Sequence, residues 1–114
     1  VMAIAHVGSG TVLHETSLPD GDEKFSTEFA DSRASAGTVV HCLSTGSGGT
    51  VKVYTKMKAS GTWVEESSDT LTAGSTSPLI LDFDYPLGVA KVSFDPTVFG
   101  DVTLIEVQVR SKGR

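Results

Sequence analysis

The stretch that decides the fold is Ser44–Glu66, STGSGGTVKVYTKMKASGTWVEE. It opens on Gly46, Gly48 and Gly49 and passes directly into alternating valines. A phosphate cradle needs Gly-Lys-Ser/Thr followed by a helix, so that backbone N–H groups and the helix N-terminus face the anion. Here no Lys-Ser/Thr follows, and the next residues alternate with period two. A dinucleotide fingerprint fails for the same lack of a helix. Glycine serves instead where φ must be positive, as a strand-to-strand connection demands. The cluster reads as a hairpin turn.

Working outward, Val51, Val53, Thr55 and Met57 share one face of Val51–Lys58, and Lys52, Tyr54, Lys56 and Lys58 the other. That is a half-buried strand with a wet side. Near the C-terminus Ile105, Val107 and Val109 alternate with Glu106, Gln108 and Arg110. Val102 and Leu104 fall out of that phase, and a β-bulge near Leu104 would reconcile the registers. Thr38–Leu43, Thr62–Glu66, Leu79–Phe83 and Val89–Phe94 are further strand candidates, with Ala3–Val7 and Thr11–His14 weaker ones. Gly, Pro, Asp and Ser clusters separate them. Glu23–Ser35 is the best helical candidate, through Phe25, Phe29 and Ala30, and reads equally as an extended or irregular segment. The expected fold is one all-β domain over residues 1–114, an antiparallel β-sandwich, jelly-roll-like, of seven to nine short strands. Its expected core is Val39 or Val40, Val51, Val53, Leu81, Phe83, Val92, Phe94, Ile105, Val107 and Val109.

Composition bounds the function. The 114 residues fit a single core, and a 39% hydrophobic share suits a packed chain. Fourteen acidic residues against nine basic give a net charge of −5. That field is poorly placed to hold nucleic acid or an anionic membrane, and no apolar run approaches the ~20 residues of a bilayer crossing. The start, VMAIAHVGSG, lacks the basic region and apolar length of a signal peptide, and Val1 ahead of Met2 reads as a trimming or cloning scar. Cys42 is the single cysteine, which excludes an intrachain disulfide framework.

The chemistry-bearing residues form no motif. His6, His14 and His41 match no compact ligand spacing, and His41 and Cys42 point to opposite faces of a strand. A lone Cys42 reads as a small buried hydrophobe, and Asp20, Asp22 and Glu23 as a solvated acidic turn without EF-hand spacing. The expectation is no catalytic residue, no cofactor and no metal site. Trp63 stands out, because alternation in Gly61–Glu66 sets it opposite Val64: one of the two faces the core, the other water or a partner.

The segment Val51–Glu66 with Ser77–Phe83, SPLILDF, resembles small β-sandwich proteins of tailed phages, the capsid decoration (cement) and tail accessory proteins. That resemblance implies a virion component that binds viral coat subunits, forms homo-oligomers and catalyses nothing. The ending, Lys91–Pro96, Gly100 and Val102–Ile105, is similar to the last strands of jelly-roll sandwiches attached to carbohydrate-active proteins. It implies the alternative of a glycan-binding module, for which Trp63, Tyr54 and Tyr85 are the available platforms. Lys52, Lys56 and Lys58 around Tyr54 read as solubilising protection of an edge strand or, with Trp63 on the following strand, as the contact that faces an acidic patch on a neighbouring subunit.

Overall fold

The computed structural model describes residues 5–6, 9–18, 23–30, 36–56, 60–72 and 78–112. Over these the chain forms seven strands of five residues or more: β2 (Ser9–Glu15), β5 (Gly37–Thr45), β6 (Gly49–Lys56), β7 (Val64–Leu71), β8 (Leu79–Phe83), β9 (Val89–Pro96) and β10 (Leu104–Lys112). Three two-residue strands join them, β1 (Ala5–His6), β3 (Lys24–Phe25) and β4 (Phe29–Ala30), with one 3₁₀ turn at Phe99–Asp101.

Two sheets result. One runs β1-β4-β9-β6-β7, with β3 also on β9; the other runs β2-β10-β5-β8. Apart from the parallel β1–β4 pair, every pairing is antiparallel. The chain crosses between sheets at almost every step, staying in one only from β3 to β4 and from β6 to β7. That winding is a jelly-roll sandwich, as the strand spacing predicts. The alternating residues meet between the sheets: Val51, Val53, Val92, Phe94, Ile105 and Val107 are fully buried, and Val40 rather than Val39 belongs to the central cluster. Phe29, Leu13, Leu71, Leu87 and Val102 also belong to that cluster.

Two local expectations are corrected, and one left open between two readings is decided. The glycine cluster is not a hairpin turn, because β5 and β6 lie in different sheets; it is the corner where the chain crosses the sandwich. Gly46 adopts φ +92°, and a Cβ there would fall 1.8 Å from the Asp101 carbonyl oxygen, so only glycine lets the corner pack on the 3₁₀ turn. Thr103 N–H donates to Thr45 O at 2.9 Å, Thr97 N–H to Gly48 O at 2.8 Å and Val98 N–H to Ser47 Oγ at 3.1 Å, tying the corner down.

The β-bulge is also elsewhere. The pairing of β10 with β5 is unbroken from Leu104 to Lys112, and the extra residue sits in β2, at Val12. Val102 reaches the core from outside the strand, immediately after the 3₁₀ turn, so no bulge near Leu104 is needed. Within Glu23–Ser35, no described residue is helical. β3 and β4 cover one edge of β9 in turn, and Ser26 bridges the gap: its N–H donates to Val92 O at 2.7 Å and its Oγ accepts from Val92 N–H at 2.9 Å. Residues 31–35 lie outside the described residues.

Candidate binding face

The outer face of the first sheet is assembled by register. Pairing of β6 with β9 sets Tyr54 opposite Lys91 and Lys52 opposite Ser93, while β3 brings Phe25 opposite Ser93. Pairing of β6 with β7 sets Tyr54 opposite Glu65, across a break where Glu66 is the extra residue. Inward valines on β6 and β9 leave these polar and aromatic side chains pointing out. Trp63, just ahead of β7, swings over the same face.

Three aromatic rings converge there on one ammonium. Lys91 Nζ lies 4.3 Å from the Phe25 centroid, 4.6 Å from Trp63 and 5.8 Å from Tyr54. Lys56 Nζ lies 4.4 Å from the Trp63 ring, and the Phe25 and Tyr54 centroids are 5.9 Å apart. Trp63 therefore neither fills the core nor stands free: it is half-buried under two lysines, while Val64 is 60% exposed. Contacts of a cation with an aromatic face are worth about 0.5–1 kcal/mol when exposed and more when dry.

Carboxylates interleave with the lysines. Lys52 pairs with Glu65 at 3.5 Å and Lys56 with Glu28 at 3.8 Å. Glu23 accepts from the Tyr54 hydroxyl at 3.2 Å and, more tightly, from Ser93 Oγ. Burial, and then the Glu23 charge, push the Tyr54 phenol above its ordinary value; Tyr54 and then Glu65 raise Lys52. The lysines of β6 thus sit in a mixed face, not on an unopposed basic stripe.

Four of the five residues singled out in the sequence, Lys52, Tyr54, Lys56 and Trp63, come together here; Lys58 lies outside the described residues. Phe25 and Lys91 complete the cluster and were missed. Lys91 had a signal, since it alternates with Ala90 and Val92, but its neighbours belong to a strand far away in sequence. Tyr85 stands against other groups, with its ring 5.8 Å from Phe83 and its hydroxyl donating to Glu66 at 2.7 Å.

Among the described residues, the remaining chemistry-bearing side chains do not gather. Cys42 is fully buried, and burial pushes its thiol up to about 12, so it is neutral at pH 7. On the outer face of the second sheet His14 Nδ1 lies 3.0 Å from Glu106, and His41 Nε2 is buried without a hydrogen-bond partner among the described residues. Asp82 and Asp84 share Lys112 Nζ at 2.7 and 3.0 Å. Among the described residues no three His, Cys, Asp or Glu side chains converge as metal ligands; Asp20 and Asp22 lie outside them.

Neither a protein-family model nor a curated protein matches the chain. Among solved structures, a glycoside hydrolase family 43 arabinoxylan arabinofuranohydrolase from Bacillus subtilis, in complex with cellotetraose, aligns over 100% of this chain with TM-score 0.52 and 15% identity. The chain spans only 28% of that hydrolase. A structure of Bacillus endospore appendages, described as a novel family of disulfide-linked pili, aligns over 93% of this chain and 88% of its own, with TM-score 0.46 and 16% identity. The first likeness shows the fold, an all-β sandwich domain; the second is too loose to carry an argument.

Proposed function

We infer that the chain is a non-enzymatic binding module of a larger assembly, and that the outer face of the first sheet is its contact surface. The observation that carries this reading is the convergence of Phe25, Tyr54 and Trp63 around Lys91, ringed by the Lys52–Glu65 and Lys56–Glu28 pairs. A half-buried Trp and Tyr within a rim of charged pairs is the composition of an interface hot spot. The resemblance of Val51–Glu66 and Ser77–Phe83 to phage sandwich proteins gives the reading its particular form. In that form the chain is a capsid decoration protein seated on coat subunits of a virion, itself a homo-oligomer.

Because each lysine of β6 that is described already faces a carboxylate, attachment gains little from long-range charge, and its salt dependence is modest. The test is co-sedimentation with shells assembled from tailed-phage coat protein. Trp63→Ala weakens attachment by about thirtyfold or more, ~2 kcal/mol. Ile80→Ser, on the second sheet, leaves it unchanged. Equal attachment by both variants, or a parent chain that ignores the shells, refutes the reading.

A further inference from the structure

Beside the aromatic cluster lies an open depression of about 490 Å³, lined by Phe25, Ser26, Thr27, Glu28 and Lys91. Its volume falls within the roughly 300–1,000 Å³ that small ligands fill. Two of its lining residues are tied to neighbouring strands. Ser26 is bonded to both backbone groups of Val92 on β9, and Thr27 donates its N–H and its Oγ1 to Val12 O at 3.0 and 3.2 Å on β2. The backbone beneath the depression is therefore set before a ligand arrives.

The lining is chemically balanced. Phe25 keeps 41% of its surface exposed although Lys91 Nζ lies over its ring, so apolar ring area remains free. Lys91 makes no ion pair among the described residues, whereas Lys24, Lys52 and Lys56 each make one and Lys112 two. Its ammonium lies over three rings and, among the described residues, faces no carboxylate. The Glu28 carboxylate, 44% exposed and 3.8 Å from Lys56, keeps lone pairs to accept, as does the Thr27 hydroxyl. An anion at this site would meet Glu28 and a cation would meet Lys91. A neutral molecule with an apolar face and several hydroxyls satisfies all of them at once.

We propose that this depression binds a neutral sugar ring, with its C–H face on Phe25, one hydroxyl accepting from Lys91, and others donating to Glu28 and Thr27. This is a second binding function, independent of whether the outer face also seats on coat subunits. Both use Lys91, so sugar and partner compete where they coincide.

The probes are neutral gluco-, xylo- and manno-tetrasaccharides, with a galacturonate tetramer as the anionic arm, titrated calorimetrically and by amide chemical shifts at up to millimolar sugar. At least one neutral tetramer binds, with shifts centred on residues 24–28 and 91. Phe25→Ala weakens binding by about tenfold and Phe25→Trp preserves it. Glu28→Ala and Lys91→Met each cost about fivefold, the loss of one hydrogen bond. Ile80→Ser changes nothing. Unchanged circular dichroism shows that each variant folds. Silence with every neutral tetramer, tighter binding of the galacturonate, or full binding by folded Phe25→Ala overturns the proposal. Attachment to coat shells, scored by Trp63→Ala without sugar, is unaffected by any of these outcomes.

Discussion

Replacing Gly46 by Ala tests whether the crossing between β5 and β6 holds the sandwich together. The added Cβ would sit 1.8 Å from Asp101 O, 2.9 Å from Asp101 C and 3.1 Å from Thr103 N, all backbone atoms. Reaching an ordinary contact requires the 3₁₀ segment to retreat by roughly 1.5 Å. That movement breaks the Thr103 N–H to Thr45 O bond and the 2.8 Å bond between the Thr45 and Thr103 hydroxyls, about 1 kcal/mol each. The φ of +92° adds about 1–2 kcal/mol for a residue with a side chain. The sum is about 3–4 kcal/mol. Gly88 is the control: φ is +71°, yet a Cβ there meets nothing within 4 Å, so Gly88→Ala carries the backbone term alone, about 1 kcal/mol. Thermal unfolding followed by Trp63 fluorescence should separate the two variants by roughly 10 °C for a domain of this size. Coincident midpoints would refute the claim that the close approach to Asp101, and not the backbone angle, makes glycine necessary.

Other outcomes follow from burial and charge. Cys42 has a folded pKa of about 12 against an ordinary 9.0, so unfolding releases a stronger acid; stability is complete below pH 9 and falls as pH rises towards 12. Urea unfolding of Cys42→Ala should therefore lose less stability between pH 8 and pH 10 (roughly a 1 kcal/mol difference) than the parent. Phe94→Ala, fully buried, costs about 3–5 kcal/mol, whereas the exposed Ile80→Ser stays within about 0.5 kcal/mol in the same assay. In a Tyr85→Phe background, Glu23→Gln lowers the alkaline titration of Tyr54 seen by ultraviolet absorbance; because burial is the larger cause, the phenol stays above its ordinary value.

How far the sequence discloses this molecule depends on which interactions are local. β6 and β10 were legible because inward valines and isoleucine alternate with polar residues. β7 was legible only as far as Glu66. Its continuation, Ser67–Leu71, is an edge strand with water on most of its surface, so no apolar residue marks it before Leu71. The corner at Gly46 was recognised as a turn, but a turn does not encode whether the next strand joins the same sheet. The binding face shows the same divide. Tyr54, Lys56 and Trp63 were within reach of one hairpin, whereas Phe25 and Lys91 arrive through β9, whose pairing with β3 and β6 spans much of the chain.

The position of β10 has a kinetic consequence. Among the described residues it is the last strand in chain order, yet it lies between β2 and β5 and supplies Ile105, Val107 and Val109 to the core. Before it docks, β2 and β5 have no neighbour to bridge them, and the second sheet is two separate pieces with open edges. A sheet closed by its final strand gathers stability late, after its most distant loops have been drawn together, so folding is expected on the millisecond-to-second scale of non-local β topologies. During that interval the open edge of β5, with Val39 and Val40 beside it, is the surface on which two unfinished chains would pair and aggregate.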